Sequence, residues 1–210
     1  MESYADYLLV LSPPQHIMDI IDTYKKDAAD KTGKYESMYP VPNIAIDDYH
    51  RQKPFITDAA IRRLAQNIKQ LPPIKLDISG LDYFNHGLDI KTIYAAIPPT
   101  PTVTEWLKLL KKILNIKKRI VPHIAIARNI HEDVFNQLWP HYKKVNLDAS
   151  FTIDKLTVLR KDTFDSFAHW QVFIEIPLEG KQLVTEPPPK HSLLKPLTGN
   201  YQANQQIKLF

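Results

Sequence analysis

The chain of 210 residues contains no cysteine and only five glycines. The first absence excludes disulfides, thiolate metal sites and a cysteine nucleophile, and is compatible with a reducing compartment. The second leaves no glycine-rich loop to cradle a phosphate with backbone amides. No apolar run approaches the length of a membrane-spanning helix, and Glu2 and Asp6 stand where a leader peptide would carry cations. A soluble, cytoplasmic protein with no membrane partner is therefore expected. There is no acidic excess: the formal charge is +4, which permits a phosphate-bearing partner without requiring one. Lys111, Lys112, Lys117, Lys118 and Arg119 fall in and just after an expected amphipathic helix and read as its solvated face.

What the chain does have is an internal repeat punctuated by proline. Tyr7-Leu8-Leu9-Val10-Leu11-Ser12-Pro13-Pro14 precedes a helical stretch, and Pro42-Asn43-Ile44-Ala45-Ile46 follows it. Later, Ile93-Tyr94-Ala95-Ala96-Ile97-Pro98-Pro99 precedes another helical stretch, followed by Pro122-His123-Ile124-Ala125-Ile126. Duplicated strand-helix-strand units build lobes related by a pseudo-twofold axis, which predicts that Asn43 and His123 face each other across a shared cleft.

Periodicity predicts a strand over 4–11 and a helix capped by Ser12, with Pro13 first and Ile17, Ile20, Ile21 and Tyr24 inward. A polar loop is expected over 27–40, a strand over 42–47, and a helix capped by Thr57 carrying Ile61, Leu64, Ile68 and Leu71. Segments 74–81 and 88–97, separated by Asn85-His86-Gly87, suit a hairpin. The second copy reads as a helix over 103–114, a strand over 120–127, and a helix over 132–143 that Pro140 kinks or shortens. Strands 149–159 and 168–178 form a pair. The whole predicts an α+β fold of two pseudo-symmetric lobes, each an antiparallel sheet with outer helices, around a central cleft. One bilobal domain spans 1–178, with repeats over 4–97 and 90–178 sharing the strand near 90–97. The proline-rich extension 179–210 is expected to wrap the core or contact another chain.

Strict alternation puts Asn43, Ala45 and Asp47 on one cleft face and His123, Ala125 and Ala127 on the other, with Arg128 directed away from His123. His50, His86, His131, His141, His169 and His191 are scattered and lack metal-ligand spacing, so neither a metal nor a cofactor is expected. Tyr83, Phe84, Phe151, Trp170 and Phe173 lie on strands and either fill a core or stack a base. Lys155 and Arg160 sit on a strand near the cleft.

On the strand-Pro-Pro-helix openings, the segment Pro122-His123-Ile124-Ala125-Ile126-Ala127-Arg128 and the segment Pro42 to Ile46, the chain resembles the two-histidine phosphoesterase superfamily over roughly residues 4–178. That group includes bacterial RNA 2′,5′-ligases and cyclic nucleotide phosphodiesterases. The resemblance implies one His as general base and one as general acid at a 2′,3′-cyclic phosphate or 2′,5′ linkage, with two Thr or Ser hydroxyls on the phosphate oxygens. Carried over, His123 is the retained catalytic candidate, while Asn43, Ala45 and Ala125 stand at the other three positions. Asn has no usable proton-transfer pKa, so family catalysis should be impaired. Asn43, His123, Asp47 and Arg128 are the expected ligand contacts. Three readings follow: a divergent protein that binds a nucleotide, RNA end or other phosphorylated ligand; an active ligase or phosphodiesterase in which Asp47 or His50 substitutes; and a non-catalytic protein-interaction module. The sequence leaves the oligomeric state open.

Overall fold

The computed structural model describes residues 4–181 apart from 34, 36, 37 and 88, so most of the expected C-terminal extension lies outside the described residues. The elements run β1 (Ala5–Leu11), α1 (Gln15–Thr32), β2 (Ile44–Gln52), α2 (Pro54–Ile68), β3 (Ile74–Ser79), β4 (Leu81–Asn85) and β5 (Ile90–Ala96). They continue with α3 (Pro101–Leu114), β6 (His123–His131), α4 (Glu132–Tyr142), β7 (Asp148–Ile153), β8 (Lys155–Asp162) and β9 (Gln171–Pro177). The architecture is α+β with antiparallel strand pairing throughout.

The strands form a sheet ordered β2-β1-β8-β9, a sheet ordered β4-β5-β6, and the pair β3-β7. Gly80, with φ of +72°, joins β3 to β4; its amide donates to Leu147 and its carbonyl accepts from Ala96. β3 and β4 are thus two halves of one bent strand, the first paired with β7 and the second with β5. Asp154 separates β7 from β8 in the same way, and β8 then pairs with β1. Each lobe consequently takes strands from both halves of the chain.

This corrects the expectation of consecutively built lobes. The hairpin is β4-β5 rather than 74–81 with 88–97, and the late hairpin is β8-β9, with residues 148–153 forming their own strand. Alternation identifies the faces of a strand but not its partner, and a single-residue break sends its two halves to different neighbours.

The central strands β1 and β5 are buried almost throughout. Trp106 is 1% exposed, and its indole N–H donates to the Pro72 carbonyl at 2.7 Å. α1 packs on β6 and α4, α4 also on β5, α2 on β9 and α3 on β3, so the helices cover the sheets from outside. α1 extends to Thr32, consuming the first part of the expected loop because Ala28 and Ala29 are buried. It begins at Gln15 after Pro14, and Ser12 does not cap it. α2 starts at Pro54 rather than after Thr57, since proline at the first helical position gives up only an amide that has no helical partner. α4 ends at Tyr142, two residues past Pro140. Among the described residues no helix is long and apolar enough to cross a membrane.

Candidate functional site

Val41-Pro42-Asn43-Ile44-Ala45-Ile46 and Val121-Pro122-His123-Ile124-Ala125-Ile126 differ only at the third residue. They also occupy matching places in their sheets. Ile44 pairs with Leu11 and Ala45 with Val10; Ile124 pairs with Ala95 and Ala125 with Tyr94. Both strands then bulge at the same point, so that Asp47 comes opposite Leu9 and Ala127 opposite Ile93. β2 and β6 are edge strands of their sheets and pack near one another. Asn43 Nδ2 donates to the Val41 carbonyl at 2.9 Å, and His123 Nδ1 donates to the Val121 carbonyl at 2.8 Å.

The paired bulges overturn the strict-alternation assignment. Leu9 and Val10 point to opposite faces of the sheet, so Asp47, opposite Leu9, leaves the face of Asn43 and Ala45. Its carboxylate instead meets Lys118 Nζ at 2.7 Å, with Asp48 at 3.3 Å from the same ammonium. Lys118 therefore ties the segment after α3 to β2 and is not merely part of a solvated face. Burial pulls its pKa down, but the two carboxylates more than offset this and hold it above the usual lysine value. Ala127 likewise turns into the core, fully buried beside Ile126. The same change of phase brings Arg128 to the face of His123 and Ala125, where its charge acts on both His123 and His86. The expectation that Arg128 points away is thereby corrected. His50, the other proposed substitute, is exposed on β2 and held by Asp48 at 2.8 Å and Asp6 at 3.8 Å.

His123 stands in an aromatic setting. Its ring packs T-shaped with Phe84 and Tyr94, at centroid separations of 4.9 and 5.1 Å, and those two rings stack with centroids 4.1 Å apart. The Tyr94 hydroxyl donates to Asp82 at 3.4 Å. His86 Nε2 lies 3.0 Å from Thr92 Oγ1, which also accepts from the Asn129 amide at 3.1 Å. Burial lowers the His123 pKa; the bond to Val121 opposes this, and Arg128 and His86 add to it. Because a carbonyl only accepts, Nδ1 carries the proton, and Nε2 is a bare acceptor in the neutral ring.

Around Asn43 the cleft face is different. Val10 pairs with Thr157 as well as with Ala45, placing all three on one face, and Ser12 Oγ lies 3.3 Å from Thr157 Oγ1. Phe84 was among the aromatics expected to fill a core or stack a base, whereas Tyr94, Asp82, Ser12 and Thr157 were not among the sequence-predicted site residues, because their proximity depends on which strands pair. Of the other aromatics expected on strands, Phe151 is core, Tyr83 packs against Phe135 and Trp139, and Phe173 meets Tyr7, whereas Trp170 lies just before β9, beneath Lys161. Arg160 pairs with Asp58 at 2.9 Å and Lys155 with Glu175 at 2.7 Å. Two surface cavities of about 520 Å³ lie along Arg160–Gln171 and between β3 and β7, and neither is lined by Asn43 or His123. Among the described residues no cluster of His or carboxylates could hold a metal.

A family model described as the 2′-5′ RNA ligase superfamily matches residues 41–164. The chain belongs to that superfamily, the two-histidine phosphoesterases. Among solved structures, TT0787 of Thermus thermophilus is 12% identical, with a TM-score of 0.61 over 84% of this chain and 99% of that one. E. coli LigT is 11% identical, with a TM-score of 0.60 over 84% and 98%. Usb1 of Kluyveromyces marxianus is 11% identical, with a TM-score of 0.50 over 84% and 99%. At these identities the likeness establishes the fold. No curated protein matches the chain at the level of sequence.

Proposed function

We infer that the cleft between β2 and β6 binds a phosphorylated ligand, such as a nucleotide or RNA end, with little or no turnover. The observation that carries this reading is the matched pair of motif segments. Both keep the backbone, the bulge and the contact to the preceding valine, but only His123 retains a group able to exchange a proton near neutrality. In-line displacement at phosphorus calls for a second acid-base group, and losing one costs about 10²–10⁴-fold. Ala45 and Ala125 remove two hydroxyl donors from the place where the family holds phosphate oxygens. What remains on one wall is Arg128 beside His123 and His86, with the Asp82 carboxylate on the same face.

E. coli LigT forms complexes with ATP, 3′-AMP and phosphate, and a cleft of the same fold with His123 and Arg128 on one face suits the same class of ligand. Residues 1–178 would form the bilobal domain and 179–210 an extension, in a cytoplasmic protein. The substitution of Asp47 or His50 for the lost acid-base group is not favoured, since Asp47 leaves the face of Asn43 and His50 is engaged by two carboxylates. The test is a thermal-shift screen of nucleotides, cyclic phosphates and sugar phosphates. A ligand of the native state raises the Tm by mass action. A phosphate-containing hit that weakens with salt and with His123→Ala supports the reading, and absence of any phosphorylated hit refutes it.

A further inference from the structure

We propose that the Ser12 hydroxyl, positioned by Thr157, supplies a phosphate-oxygen donor in place of the hydroxyl absent at Ala45. This rests on the phosphate-binding reading above and names the group that serves it on the Asn43 wall.

The argument begins with register. Leu11 pairs with Ile44, so Ser12 comes next to Asn43 at the end of the β1-β2 ladder, just as Ala96 pairs with His123 in the other lobe. Ser12 is two residues beyond Val10, and Val10 shares its face with Ala45 and Thr157. The 3.3 Å contact between Ser12 Oγ and Thr157 Oγ1 places Ser12 on this side. Asn43, Ala45, Ser12 and Thr157 therefore share the face that corresponds to the one carrying His123, Ala125, Tyr94 and Asp82.

The chemistry of the two walls then diverges at matched positions. Where the His123 wall has Ala96 and Asp82, the Asn43 wall has Ser12 and Thr157, two neutral hydroxyls with no carboxylate between them. Ser12 lies two residues before Pro14, the N-cap of α1, and is not engaged in capping that helix. Thr157 is 3% exposed and too buried to meet a ligand itself, whereas Ser12 is partly exposed. A hydroxyl can donate once and accept twice. If Thr157 donates to Ser12, the Ser12 proton is left for an acceptor in the cleft, and a phosphate oxygen is such an acceptor. Ser12 thus restores from the segment just after β1 a donor that the family places two residues beyond its histidine. Thr157 acts as a positioning residue.

The test is calorimetric titration of the full-length chain with adenosine 3′-monophosphate, comparing wild type with Ser12→Ala, Thr157→Val, Thr157→Ser and His123→Ala. Ser12→Ala should weaken binding about tenfold, as expected for a lost hydrogen bond to a charged group. Thr157→Val, close in shape, should weaken it several-fold, and Thr157→Ser should restore wild-type affinity. The Tm without ligand should change little in these variants. A second readout needs no variant: the Ser12 amide resonance of the wild type should move during the titration. If Ser12→Ala binds like wild type while His123→Ala does not, the phosphate site stands and the Ser12 assignment is wrong. If both hydroxyl variants lower the Tm and leave affinity unchanged, the pair merely ties β1 to β8. If the wild type binds no phosphomonoester, the underlying reading and this inference fall together.

Discussion

Asn43 and His123 make the same bond to the carbonyl two residues behind them, at 2.9 and 2.8 Å, but only the imidazole has a second nitrogen left to titrate. The asparagine amide reproduces the posture that a donating Nδ1–H gives the ring. Asn43 thus sits in the same local frame that holds His123 in the second segment.

Asn43→His should accordingly be accommodated with little loss of stability, with Nδ1 donating to Val41. Combined with Ala45→Thr and Ala125→Thr, it should raise hydrolysis of 2′,3′-cyclic AMP by at least about 10²-fold over the wild type, the lower range for regaining one acid-base group. Phosphomonoester release measured over time checks this. A well-folded triple variant at background would show that the cleft has lost more than these three side chains.

The imidazole should also govern the acid side of the stability profile. Unfolded histidine titrates near pH 6.5, and burial places His123 below that value in the folded state, as it does His86. Between the two values the unfolded chain binds more protons, so their contribution is intact above about pH 6.5 and is lost as pH falls toward the folded values. His123→Asn, which can keep the Val121 contact as Asn43 keeps its own, should flatten part of the fall in Tm below that pH. The His86 share should persist. An unchanged slope would contradict the burial argument.

The two-lobed α+β fold and the matched positions 43 and 123 were legible because proline and the Ile-Ala-Ile strands recur. Element type followed from apolar spacing, as with Phe135, Leu138 and Tyr142 inward on α4. Strand partners were not legible. Nothing local to Gly80 or Asp154 says that the chain changes partner there. Nor does Ile-Ala-Ile announce a bulge, since Ile46 and Ile126 satisfy alternation until Asp47 and Ala127 turn the other way. That one-residue phase change is why Asp47 was misplaced and Arg128 was expected to face away. Ser12 was read as a helix cap because its partner Thr157 lies on a strand whose place beside β1 no local signal announces.

Asp6 should be the carboxylate whose loss is felt most at the open end of β1. It accepts from the Arg51 amide at 2.8 Å and from Thr163 Oγ1 at 2.8 Å, joining β1, the end of β2 and the turn after β8. Burial works against its charge, but these bonds, with His50 and Lys161 nearby, hold its pKa below the usual carboxylate value. Its contribution is present above the ordinary carboxylate range and is lost as pH falls through the folded value. Asp6→Ala should cost about 2–3 kcal/mol at neutral pH, measured by urea denaturation, and less in acid.

Trp106 should separate packing from hydrogen bonding in the core. Trp106→Ala leaves a cavity and should cost about 3–5 kcal/mol. Trp106→Phe keeps most of the ring but leaves the Pro72 carbonyl without its donor, at a cost of about 1–3 kcal/mol. Equal costs for the two variants would show that the indole bond, not the volume, dominates.

The central claim, a phosphoesterase cleft that binds without turning over, is tested most directly by ³¹P NMR of 2′,3′-cyclic AMP mixed with the purified full-length chain. One spectrum followed over time reads binding from the shift and width of the cyclic phosphate signal and turnover from any phosphomonoester peak. The account predicts a broadened or shifted signal that returns to its free position with His123→Ala, and no monoester beyond background. Steady conversion to monoester that His123→Ala abolishes would contradict it by showing that the chemistry survives, and a signal untouched by the protein would contradict it by showing that the cleft does not hold a phosphate.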